Sequence, residues 1–117
     1  MNITQYFLVG LVALIHIYIM IIEMFLWTKP KGIKTFGLKT KEFAEATKVF
    51  AANQGLYNGF LSAGLIWAAI LEKSAIAIFF LTCVFIAGIY GTYSTKKPRI
   101  LIIQSIPALI GILSLIL

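Results

Sequence analysis

His16 and Glu23 stand two helical turns apart inside an apolar run from Gln5 to Trp27. Asn53, Gln54, Tyr57 and Asn58 crowd the middle of a second long run, Phe43 to Leu71. A histidine and a glutamate in one site can exchange protons as general acid and base. Carboxamides and a phenol offer directed hydrogen bonds to a polar solute. On a helix, His16 and Glu23 face the same way about 10 Å apart along the axis. Asn53 and Tyr57 are i,i+4 neighbours, as are Gln54 and Asn58, so these side chains cover one broad side of their helix.

The elements that must carry these groups follow from composition. Of the 117 residues, 61% are hydrophobic and 12% are charged, and the mean hydropathy is +0.98. A water-soluble domain of this length has too much surface for its volume to hide so many apolar side chains. The fold class is therefore all-α, a bundle of four transmembrane helices in a single integral-membrane domain over residues 1–117. The spans run from about residue 5 to 27, 43 to 71, 74 to 93 and 100 to 117. Each covers about 30 Å as a helix, and helices satisfy their own backbone polar groups in lipid. The first segment lacks the basic leader and cleavage site of a signal peptide, so it stays in the protein.

The net charge of +6 is gathered in loops. Lys29, Lys31, Lys34, Lys39, Lys41 and Lys48 surround the first connection, and Lys96, Lys97 and Arg99 fill the third; only Lys73 lies elsewhere. This is the cytoplasmic bias of a cell-membrane, multi-pass protein with both termini extracytoplasmic, not an interleaved face for nucleic-acid phosphates. The partner it implies is the bilayer itself, with anionic headgroups at the cytoplasmic face. The segment from Thr28 to Thr40, with Pro30, Gly32 and Gly37, reads as a loop, and Thr40 as the cap of the helix that follows.

Intramembrane ionisable groups cost about 2.5–3.5 kcal/mol at a helix centre, so they should face a partner rather than lipid. By depth, Glu23 lies just inside the cytoplasmic interface and His16 near the midplane, with Asn53, Gln54, Tyr57 and Asn58 between or level with them. The expectation is a shared polar site of all these residues, used for binding or proton exchange. A blander alternative has Glu23 reaching back to Lys29, Lys34 or Lys48, with His16 and the amides acting as interhelical glue. Gly55 and Gly59 form a GxxxG step for close helix packing, which also admits a homo-oligomer. Pro107 reads as a kink, and Cys83, alone in an apolar run, as a core residue. One histidine and one glutamate two turns apart are too few ligands for a metal, and no pattern calls for a cofactor.

The stretches HIYIMIIEMFLWTKPKGIKTFGL and ATKVFAANQGLYNGFLSAGLIW carry a resemblance. The chain resembles the small bacterial membrane proteins grouped as domain of unknown function 1304, along nearly its whole length. The matching residues are His16, Glu23, Phe25, Trp27, Phe36, Asn53, Gln54, Gly55, Tyr57, Asn58 and Gly59. The resemblance implies a multi-pass membrane protein and no particular reaction. Three functions stay open on the residues: binding or transport of a small polar or ionic solute with proton exchange at Glu23 and His16; an enzyme acting on a lipid or isoprenoid; and a structural or accessory subunit.

Overall fold

The structure, a computed structural model, describes Met1–Leu117 and is built of helices alone. In chain order these are α1 (Ile3–Phe25), α2 (Pro30–Phe36), α3 (Lys41–Leu71), α4 (Ser74–Thr95) and α5 (Pro98–Ile116). By length and composition α1, α4 and α5 can cross a membrane. The longest helix is α3, with 31 residues, but Glu42, Glu45, Lys48 and its amides dilute its apolar character.

The segment Thr28 to Thr40, expected as a loop throughout, contains α2. Pro30 suits a first turn because its φ is already helical and its missing N–H would have no partner there. Gly37 ends the helix at φ 62°, and Leu38 N–H reaches back to the Ile33 carbonyl at 3.0 Å, the closure that a left-handed residue permits. Thr40 then caps α3 as expected, its hydroxyl accepting from Phe43 N–H at 3.0 Å. At the far end of α3, Glu72 takes φ 53° while Lys73 N–H bonds the Ala68 carbonyl at 3.0 Å, which turns the chain into α4.

The chain divides into two compact units. One comprises Met1–Ile15 and Leu61–Leu117; the other is His16–Phe60. In the first, Val9, Val12, Leu65, Leu81, Val84 and Ala108 are almost wholly buried and form the centre of its core. Polar contacts knit this core where lipid cannot. Ser62 donates to the Ala13 carbonyl at 2.8 Å, and Ser105 to the Phe85 carbonyl at 2.9 Å. Gly88 lets α4 approach α5, since a Cβ there would collide with the Ser105 hydroxyl and lie 2.9 Å from its backbone nitrogen. The α5 distortion expected at Pro107 takes the form of a widened turn, Leu101–Ser105, in which Ile106 N–H bonds the Leu101 carbonyl. A proline ring clashes with the carbonyl four residues back, and one π-type turn relieves that clash. At the α3–α4 turn, Tyr6 donates to Glu72 at 2.8 Å, and this bond holds the Glu72 carboxyl below its ordinary range.

The second unit holds the end of α1, all of α2 and the first part of α3. Here α2 lies against the chain leaving α1: a Cβ on Gly32 would collide with the Leu26 carbonyl. Trp27 anchors the corner, 5.0 Å centroid to centroid from Phe36, with its indole N–H 3.0 Å from the Thr47 hydroxyl. Lys31 extends over the Tyr18 ring, 5.5 Å from its centroid, a cation–π contact.

Candidate functional site

Glu23 faces α3 because it lies on the α1 stripe that also carries His16 and Met20, spaced at four and three residues. The opposing surface of α3 is made low by glycine. A Cβ on Gly55 would lie 2.6 Å from Met24 Cγ and 3.1 Å from both Glu23 Cβ and the Met20 carbonyl. One on Gly59 would meet Met20 Sδ at 2.7 Å. Met20 and Met24 thus fill the space above Gly55 and Gly59. Sequence reasoning passed over Met20 and Met24, although their spacing around Glu23 was a usable signal.

That approach lets Asn58 reach Glu23. Its side-chain N–H₂ donates to Glu23 Oε1 at 2.6 Å and, at 3.2 Å, to the backbone carbonyl of Gln54. A carboxylate strengthens and shortens such a bond. Both residues are half-buried. The alternative in which Glu23 pairs with Lys29, Lys34 or Lys48 does not form, and Lys48 instead lies 3.2 Å from Glu45 on its own helix. Glu23 therefore has a neutral hydrogen-bond partner and no countercharge.

The remaining candidates divide. His16 is fully buried on α1, two turns from Glu23. Asn53, Gln54 and Tyr57 are exposed on α3, Tyr57 stacking only on Phe60 with centroids 6.1 Å apart. The structure thus brings Glu23 and Asn58 together, encloses His16, and leaves the other three facing outward. Asn58, expected level with His16, instead meets Glu23 nearer the end of α1. The depth argument from sequence could not give the rotation of α3, which the glycines decide. No third histidine, cysteine or acid joins Glu23 to make a metal-binding group.

Comparison with known proteins agrees with the resemblance read from the sequence. The family model described as Protein of unknown function (DUF1304) matches residues 10–116. The chain is also similar to the uncharacterized protein YpaA of Lactococcus lactis subsp. lactis (strain IL1403), 29% identical over 107 residues, covering 89% of each chain. No solved structure matches. With nearly its whole length matched, this all-helical, membrane-like chain belongs to the DUF1304 family of proteins of unknown function.

Proposed function

We propose that this is a multi-pass cell-membrane protein whose Glu23–Asn58 pair binds a small cationic or polar solute in exchange for a proton. The observation that carries this reading is the 2.6 Å bond from Asn58 to a Glu23 that lacks any cationic side chain. A carboxylate held in a low-dielectric region without countercharge is neutralised by a proton or by a bound cation, and the two compete for it. Asn58 fixes the orientation of one carboxyl oxygen and leaves the other for the competitor. His16, buried farther along α1, is the next group on a proton's path inward.

The test reads the carboxyl directly. Infrared difference spectra of the protein in bilayers should show a C=O band that titrates with pH and is missing in Glu23→Gln. Sodium, or the larger cation choline, should diminish that band at fixed pH. Glu23→Gln should otherwise keep the fold, because its amide oxygen still accepts from Asn58. A Glu23-independent spectrum in stable protein would leave the structural-subunit reading in place, with the pair acting only as a tie between α1 and α3.

The same proposal has α3 as a fourth span and both termini outside, supported by the gathering of lysines around α2 and the α4–α5 turn. In a Cys83→Ser background, single cysteines at Thr4 and Ser74 should react with an impermeant thiol reagent in intact cells. A cysteine at Lys34 should react only after lysis. Labelling of position 34 but not 74 would invert the topology.

A further inference from the structure

We infer that a second copy of this chain packs against α3 along a seam centred on Asn53. Ala46, Val49, Asn53, Leu56 and Phe60 recur at alternating steps of three and four residues, and every one is exposed. That is the spacing of the central positions in a pair of helices winding around each other. The seam lies away from Gly55 and Gly59, the side already occupied by α1.

The inference rests on the proposal above that α3 lies in the bilayer. The uncharged part of α3 follows Lys48 and ends at Leu71, about 34 Å of helix, close to the roughly 30 Å of a hydrocarbon core. Asn53 then stands between one and two turns inside, where lipid tails offer neither donor nor acceptor. Its side chain makes no hydrogen bond within the chain. An amide left so has lost its water without gaining a partner.

Charge complementarity identifies the occupant. A carboxamide carries a partial positive N–H₂ beside a partial negative C=O, so its complement is a second carboxamide turned about. Copies inserted in one orientation and related by a twofold axis along the membrane normal hold Asn53 at one depth in both. The axis then brings each amide to the other with donor facing acceptor. Val49, Leu56 and Phe60 enclose the pair, and a single asparagine in such a seam sets its register and number of helices. An unrelated partner would need a matching polar group at this same depth, whereas a second copy has one by symmetry.

The experiment uses the full chain in native membranes with Cys83→Ser. A disulfide forms only when two Cα atoms come within about 7 Å, so oxidation with copper-phenanthroline reports the seam. Asn53→Cys should give a species of twice the chain mass, several-fold more than Ile86→Cys, which is exposed on α4. Asn53→Leu, which any lipid-facing helix tolerates, should lower the dimer fraction measured by light scattering in detergent while helix content is retained. Cross-linking that is absent, equal at Ile86→Cys, or to a species of another mass overturns the proposal. So does an unchanged dimer fraction in Asn53→Leu. Fast reaction of Asn53→Cys with an impermeant maleimide in opened membranes would show α3 in water, removing the bilayer reading and the seam with it. Slow reaction without cross-linking would remove the seam alone.

Discussion

Gly55→Ala is expected to destabilise the protein by about 1–3 kcal/mol, the usual cost of forcing an added methyl into a filled contact. The added Cβ would stand 3.1 Å from the Met20 carbonyl and from Glu23 Cβ, neither of which can move without moving α1. The same change at Gly59 meets only the thioether of Met20, at 2.7 Å. A methionine end can swing away, and alanine favours helix over glycine by about 1 kcal/mol. Gly59→Ala should therefore be close to neutral, although the two glycines look equivalent in a GxxxG pattern. Thermal unfolding in one detergent compares them. Equal losses at both positions would mean that the approach of α1 and α3 is not what the structure describes.

Asn58→Leu should cost a similar amount, about 1–3 kcal/mol, because it strips the carboxyl of Glu23 of its one hydrogen-bond donor and leaves it facing apolar atoms. The partner change Glu23→Leu removes the group that needs the bond. The double variant should then recover much of the loss, since replacing both partners by apolar groups of like size is nearly neutral. A double-mutant cycle with thermal unfolding isolates the pair, and neighbours in direct contact couple by about 0.5–3 kcal/mol. Strict additivity would show that the two side chains do not meet. The outcome also bears on function, because a strongly coupled pair in which Glu23→Gln is stable makes the proton-exchange test interpretable.

Composition and the apolar runs are enough to specify the all-helical class and the four long helical segments. Those runs are too long and too continuous for anything else in so short a chain. Sequence also specifies which residues are costly in such a setting: a glutamate, a histidine and three carboxamides have the same price of transfer into lipid wherever the helices turn. Thr40 as a cap was legible because capping is local, needing only a hydroxyl three residues before an unpaired N–H. The helix α2 was not, since Gly32 and Gly37 signal a break equally well whether or not a helical turn forms between them. What settles it is the corner where Trp27 meets Phe36 and Thr47, a contact between residues distant in sequence.

The choice of partners is a matter of how the helices meet. Asn53, Gln54, Tyr57 and Asn58 lie within two turns of one helix, so sequence gives them nearly the same depth and cannot rank them. Rotation about the axis ranks them, and that rotation turns Gly55, with no side chain of its own, toward Met20, Glu23 and Met24 of α1. Asn58 is thereby carried to Glu23, while Asn53 and Tyr57 are turned outward. Lys48, nearer than Asn58 to Glu23 along the chain, is drawn to Glu45 one turn away on its own helix. Charge and depth specify which groups need a partner, but only the geometry of helix contact specifies which partner each one finds.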